Sequence, residues 1–338
     1  MPQIITQISD KMHTSWQKEL ANVVTDPKTL LEMLDICPEA YLAHFSARKL
    51  FPVRVPLPFI SRMAKGNFDD PLLRQVMPLS AEHVITDGYV SDPLEEHDTV
   101  AEGLLHKYTS RVLMIVKGGC AINCRYCFRR HFPYQENSPN KKRWRSALEY
   151  IANHAEINEV IFSGGDPLMA SDEHLIWLIE LIEAIAHIKR IRIHTRLPVV
   201  IPQRITQALV NKLQTSRLKP VFVFHVNHEN EIDDEFSQAI EPLRAARIAM
   251  FNQATLVKGV NDDAQVLANL SEKLFDTGIQ PYYLHMFDAV QNCAHLDPGD
   301  QRSIEIVNQL NTILPGFLMP KLVREIAGEP NKTLINLR

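Results

Sequence analysis

Three cysteines crowd into the segment VKGGCAINCRYCFRRHF, at positions 120, 124 and 127. Thiolates this close on irregular backbone can converge on one metal centre, and Gly118 and Gly119 let the chain turn tightly just before them. Iron–sulfur clusters held wholly by protein take four ligands, as do structural zinc sites. Here the local set stops at three, because Cys37 and Cys293 stand alone in the sequence. Three thiolates on a four-iron cluster leave one iron open to a chelating ligand. A zinc knuckle completed by His131, or a group of buried unreactive thiols, is the alternative.

A second group follows at SGGDP, residues 163 to 167. Two glycines allow backbone to approach a ligand closely, and Asp166 supplies a carboxylate able to meet an ammonium. Alone, GGDP reads more often as a turn with a helix start.

The elements that must position these groups are legible from residue 111 onward. Apolar runs with strand character lie at 111–117, 159–163, 190–194, 221–226, 254–258 and 281–287, and helical patterns lie at 146–155, 171–189, 202–213, 235–248 and 263–277. In the second helix Ser171 is the cap, and Leu175, Leu178, Ile179 and Ile182 form the apolar face. Strands alternating with helices require a parallel sheet, either doubly wound or an open (β/α) barrel. The barrel is favoured because CAINC, GGD, TR, NH, KGVND and Asp288 each follow a different strand, and barrel sites draw on several strand ends. The expected architecture is α/β, a partial (β/α)6 barrel over 111–290. Residues 1–110 are expected as a mainly helical extension and 291–338 as a C-terminal segment. In the extension, Asp26–Pro27 opens a helix whose apolar spacing runs on toward Pro38, and FPVRVPLPFISRM, with three prolines, reads as extended or turning surface.

A net charge of -4 from 36 basic and 40 acidic side chains gives no reason to expect a nucleic-acid partner. The first residues lack the basic and apolar regions of a secretory signal, and no window has eighteen uninterrupted apolar residues, so the expectation is a cytoplasmic protein with no membrane partner.

The cysteine spacing, with aromatic Tyr126 before the third cysteine, resembles the radical S-adenosylmethionine motif, and SGGDP resembles the glycine-rich motif that holds the methionyl amino group. The resemblance implies a 4Fe–4S cluster and S-adenosylmethionine, with Tyr126, Ser163, Gly164, Gly165 and Asp166 as cofactor contacts. YTSRVLMIVKGGCAINCRYCFRRHF, VIFSGGDPL, RIHTRLPVVIPQRIT, HVNHENEI, PYYLHMFD and GFLMPKLVREIAGEPNK together resemble the lysine 2,3-aminomutase family, over roughly residues 80 to 335. That family also uses pyridoxal 5′-phosphate. The resemblance places its Schiff-base lysine at Lys332, with Lys321 the rival, and its phosphate contact at Arg111. Arg129 falls on the arginine that pairs with the substrate α-carboxylate. Asp288 and Glu325 fall on the two aspartates that hold the distal ammonium, so the second side chain is longer here.

A carboxylate pair of this kind favours a cationic amino acid, because a buried carboxylate without a cation is costly. The resemblance therefore implies a lysine 2,3-aminomutase acting on free L-lysine, with arginine, ornithine or glutamate as other amino acids to test and a non-catalytic iron–sulfur or zinc protein as the rival class. The chain is most like the short bacterial branch that makes (R)-β-lysine for modification of elongation factor P through a lysyl-tRNA-synthetase-like ligase. The implied electron donor is a flavodoxin or ferredoxin. The C-terminal cysteines that carry structural zinc in the longer clostridial-type enzymes have no counterpart, so zinc is not expected and homo-oligomerisation is left open.

Overall fold

The structure is a computed structural model and describes residues 15–96, 100–134 and 141–337. Most of the N-terminal stretch considered as a secretory signal lies outside those residues. Among the described residues, one sheet contains nine strands in strict chain order. They are β1 (Leu104–Tyr108), β2 (Arg111–Lys117), β3 (Glu159–Gly164), β4 (Arg190–Thr195), β5 (Lys219–Phe224), β6 (Ala249–Thr255), β7 (Gln280–His285), β8 (Lys321–Arg324) and β9 (Thr333–Leu334). β2 to β8 pair in parallel, and β1 and β9 flank them antiparallel. The longer helices are α1 (Ser15–Ala21), α2 (Pro27–Met33), α3 (Lys141–Ala152), α4 (Asp172–Glu183), α5 (Gln207–Thr215), α6 (Asp234–Ala245), α7 (Ala264–Asp276) and α8 (Asp300–Ile313). A doubly wound sheet reverses its strand order at a switch point. This one never reverses, so each of α3 to α8 returns the chain to the next strand of a partial barrel, the (β/α)6 unit of β2 to β7 continued by β8. No helix among the described residues is long and apolar enough to cross a membrane.

Several elements differ from the sequence expectation. The fifth expected strand, 254–258, is displaced: β6 runs Ala249–Thr255 and includes Asn252 and Gln253. Asn252 is tolerated there because its side chain accepts from the Val226 amide (2.9 Å) and donates to the Val226 carbonyl (3.0 Å), satisfying a buried amide within the sheet. Leu256 and Val257, apolar enough to suggest a strand, are buried loop residues. Residues 184–189 leave α4 early, and Pro202–Arg204 forms a separate turn before Thr206 caps α5. The sheet also extends into the segments expected to flank it, through β1, β8 and β9, which are too short or half-exposed to give a clear strand signal. Asp26 caps α2 by accepting from the Thr29 amide (2.9 Å). That helix stops at Met33, because Asp35 adopts φ 57° and the Ile36 amide turns back to the Leu31 carbonyl (3.0 Å).

FPVRVPLPFISRM is extended and turning as its prolines require, but it is not surface. Phe51, Val53, Val55, Phe59, Ile60 and Met63 are buried, and Val55 bridges Val24. This stretch collars the cysteine segment: Asn123 donates from its amide to the Arg54 carbonyl (3.0 Å) and from its side chain to the Pro52 carbonyl (2.8 Å). Further along, Glu82 and Arg125, both almost fully buried, form an ion pair at 2.6 Å. Such a pair is costly to bury but far costlier to break, so it holds the Ser80–His83 turn against the cysteine loop.

The end of β3 docks on the same loop. The Gly165 amide donates to the Lys117 carbonyl (2.8 Å) and the Asp166 amide to the Gly119 carbonyl (3.0 Å). Gly164 has φ 124°, and a Cβ on Gly165 would lie 2.5 Å from the Gly119 carbonyl oxygen. The two glycines are therefore required by the approach of the cysteine loop's own backbone. Gly165→Ala is expected to push that loop from the strand end, lowering stability by about 2 kcal/mol, within the usual range for overpacking. Iron bound per chain after anaerobic reconstitution should fall sharply. An alanine variant with wild-type iron content and denaturation midpoint would show that the close approach is dispensable.

Candidate active site

A cavity of about 660 Å³ opens along the inside of the partial barrel. Cys120, Cys124, Cys127, Tyr126, Arg129, Ser163, Gly164, Gly165, Asp166, Arg111, Asp288, Glu325 and Lys332 all line it. Lys321 does not: it is exposed at the start of β8.

Burial pushes the Cys120 and Cys127 thiols up, Cys127 to about 12, and the neighbouring thiols reinforce the shift. Cys120 and Cys127 in this setting lose their protons only when a cation joins them. Among the described residues no three His, Cys, Asp or Glu side chains are grouped to hold a metal ion. A four-iron cluster binds each thiolate at a different iron. The donor set of three cavity-facing thiols thus fits the cluster, and Cys120, Cys124 and Cys127 would hold it. Cys293 is committed elsewhere, donating to the Arg125 carbonyl (2.9 Å) and accepting from Arg130 (2.8 Å).

Behind Cys124 lies a buried polar network. Arg196 donates to Cys124 Sγ (2.7 Å), to the Tyr126 hydroxyl (2.5 Å), to Gln75 Oε1 (2.7 Å) and to Glu231 Oε2 (2.8 Å). His225 Nδ1 faces the Gln253 carbonyl at 2.9 Å, so Nδ1 carries the hydrogen and Nε2 accepts from the Tyr126 hydroxyl at 2.8 Å. The Tyr126 hydroxyl is therefore engaged by protein, and the tyrosine braces the cavity wall next to Cys127.

Asp166, expected as a cofactor contact, lines the cavity and is also engaged by protein donors. Its carboxylate accepts from Thr195 Oγ1 (2.8 and 2.9 Å) and from the amides of Leu168 (3.0 Å), Arg196 (2.7 Å) and Leu197 (2.8 Å). A carboxylate offers about four acceptor positions, and these are filled. Asp166 ties β3 to β4 through these bonds.

Across the cavity, charges alternate. Arg129 meets Glu96 through Nε (2.5 Å) and Nη2 (3.1 Å). Lys107 meets Glu96 (2.9 Å) and lies 3.8 Å from Glu325. Glu325 accepts from Tyr108 (2.6 Å) and pairs closely with Lys332. The last contact follows from register: β8 and β9 pair Arg324 with Thr333, so Glu325 and Lys332 are the next cross-strand neighbours. Burial pushes Glu325 up, but Lys332 and the Tyr108 hydrogen bond hold it below the usual carboxylate range. Asp288 has no such relief. Burial raises its carboxyl to about 7, with Lys332 opposing and Glu325 adding to the rise.

Next to that group, Arg111 lies over the Tyr108 ring (4.0 Å), and Arg190 and Arg192, which share Glu159, also line the cavity. Arg192 Nε, His194 Nε2, Gln253 Oε1 and His285 Nε2 are buried cavity-lining atoms without a hydrogen-bond partner among the described residues. Burial first, then nearby cations including Lys332, hold both imidazoles well below the ordinary histidine range. Arg190, Arg192 and His194 could have been found from sequence, since the alternation in RIRIH places them on one face. Glu96 and Lys107 gave no comparable signal.

Residues 114–270 match the Radical SAM superfamily. The chain is 55% identical to L-lysine 2,3-aminomutase of Escherichia coli strain K12, covering 100% of this chain and 99% of that protein. It is 54% identical to the L-lysine 2,3-aminomutase of Haemophilus influenzae, with 95% of each chain covered, and 46% identical to that of Buchnera aphidicola, again with 95% of each covered. The three thiols and the carboxylates of the cavity thus sit in a chain that belongs to the L-lysine 2,3-aminomutase family of radical S-adenosylmethionine isomerases.

Proposed function

We propose that the protein converts (S)-α-lysine to (R)-β-lysine with pyridoxal 5′-phosphate attached at Lys332, and that the product serves the modification of elongation factor P. The observation that carries the pyridoxal phosphate reading is the cluster of unpartnered polar atoms on Arg192, His194, Gln253 and His285, lying in one cavity with Lys332 and Arg111. Buried polar atoms without partners are rare, and a polar aromatic cofactor with a phosphate fits this set. Lys332 supplies the amine for covalent attachment, and Arg111 with Arg192 supplies cationic donors for a phosphate. When bound, the cluster and S-adenosylmethionine supply the radical that takes a substrate hydrogen, and pyridoxal phosphate supplies a conjugated ring that carries the unpaired electron while nitrogen moves.

The chain's own contribution is placement. Hydrogen and an amino group exchange between C2 and C3, so no oxidant is consumed and the substrate must be gripped at both ends. Arg129 is suited to the α-carboxylate and Asp288 to the distal ammonium. Glu325, already engaged by Lys332, Tyr108 and Lys107, adds negative charge near that end. A one-electron donor of the flavodoxin or ferredoxin kind would reduce the cluster. The link to elongation factor P and its ligase rests on resemblance to the short bacterial branch.

Anaerobic incubation with S-adenosylmethionine, reductant and a panel of lysine, arginine, ornithine and glutamate is expected to yield (R)-β-lysine from lysine alone. Rearrangement of glutamate in its place would overturn the carboxylate assignment. Borohydride reduction of the cofactor-loaded protein should fix pyridoxyl on the peptide containing Lys332, with trapping lost in Lys332→Ala and retained in Lys321→Ala.

The pH dependence follows from Asp288. A carboxyl with a pKa of about 7 is neutral below that value and cannot hold an ammonium; above it the carboxylate is ionised. In the free enzyme kcat/KM for lysine should therefore fall as pH drops through about 7, by about ten-fold per unit for a single proton. Asp288→Asn should have weaker lysine binding and lack this limb. An unchanged acid limb in the variant would assign it to another group.

A further inference from the structure

Glu96 stands outside the motifs, yet it is buried in the cavity wall between two cations, Arg129 and Lys107. Burial alone pushes its carboxyl up, but those two cations hold it ionised, below the usual range. Arg129 has five N–H hydrogens in a rigid plane. Glu96 accepts from Nε and Nη2, and Ser163 Oγ accepts from Nη1 at 3.0 Å. One hydrogen then remains on each terminal nitrogen. The Ser163 hydroxyl, having accepted from Arg129, still has its own hydrogen to donate.

Resting on the reading of Arg129 as the group that meets the substrate α-carboxylate, we propose that Glu96 is a positioning residue: it grips the Nε–Nη2 edge of Arg129 and presents the remaining donors to the carboxylate. The charge balance supports this role. A lone Glu96 would cancel the positive charge that attracts an anion, but Lys107, 2.9 Å away, offsets it. The trio of Arg129, Glu96 and Lys107 thus keeps one net positive charge while the guanidinium is held in one orientation. An arginine left loose would have to be ordered at each binding event, weakening affinity without changing the chemical step.

The test uses the full chain loaded with its cluster and pyridoxal phosphate. Equilibrium dialysis without reductant measures labelled lysine and labelled 1,5-diaminopentane, which keeps the amines and lacks the carboxylate. Glu96→Gln is expected to weaken lysine binding and raise its KM by about ten-fold or more, the scale of a charge-assisted contact. Its kcat should stay within about three-fold of wild type, well under the ten-fold that 1.4 kcal/mol would represent. Binding of the diamine and iron content should be unchanged although the melting temperature falls with the lost buried pair, and Glu96→Asp, which keeps the charge, should bind lysine better than Glu96→Gln. Equal loss of lysine and diamine, or a loss that tracks lower iron content in both variants, would overturn the positioning role in favour of a structural one. Normal lysine binding in Glu96→Gln with loss in Arg129→Lys would overturn the role of Glu96 alone. Normal binding in Arg129→Lys would overturn the reading of Arg129 and the proposal with it.

Discussion

The site depends on the locking together of three strand ends. Gly165 and Asp166, just past β3, donate their amides to carbonyls at the end of β2, and the Asp166 carboxylate accepts from Thr195, Arg196 and Leu197 at the end of β4. These bonds are buried, where an unmet donor or acceptor is costly, so the three ends move as one body. The cysteine loop leaves β2 and Arg196 leaves β4, so the same lock sets the thiols against the guanidinium that donates to Cys124. Gly164 and Gly165 are the only side-chain solution at their positions: the first needs φ 124°, and the second has no room for a Cβ. A motif that suggests ligand contact is thus first a requirement of backbone packing.

Electrostatics supplies the second constraint. Arg129 and Lys332 line the cavity and Lys107 lies behind its wall; such cations are costly to bury without anions, and Glu96 and Glu325 stand between them in turn. Each carboxylate there is shared by two cations. Asp288 lies beyond this chain of pairs, and burial, with Glu325 and Glu96 adding, pushes its carboxyl up against the pull of Lys332. That makes Asp288 the group with most to gain from an arriving ammonium.

What the sequence made legible was local. Cys120, Cys124 and Cys127 and the GGD turn declare themselves by spacing, and β2, β3, β4, β5 and β7 by apolar runs. β6 was misplaced because Asn252 breaks the apolar pattern while satisfying itself within the sheet. Asp166 was legible as a carboxylate but not as a saturated one, since three of its donors lie about thirty residues away across β4. Glu96 was illegible for the same reason: it sits 33 residues before Arg129, in a stretch with no strong pattern. Burial of the proline-rich collar likewise depends on a partner surface that no local period reveals.

Lys332 shows how a tertiary fact can hide in a short interval. Residues 325 and 332 sit opposite each other because β8 and β9 form an antiparallel pair with Arg324 facing Thr333. Gly328, at φ 81° within the connecting turn and with nothing near its absent Cβ, is needed for its backbone angle alone. The loop may therefore change its other residues as long as the pairing and that angle survive, which explains how GEPNK can replace a glycine-rich stretch while still presenting a lysine. Lys321 opens β8 at the far end of the same strand, and its exposure follows from the same register that brings Lys332 to the cavity. The longer side chain of Glu325 fits this geometry too, since it reaches both Lys332 and the Tyr108 hydroxyl while remaining in the wall. Its grip on Lys332 leaves Asp288 as the carboxylate that burial pushes up, so the two carboxylates of the wall stand in opposite electrostatic settings.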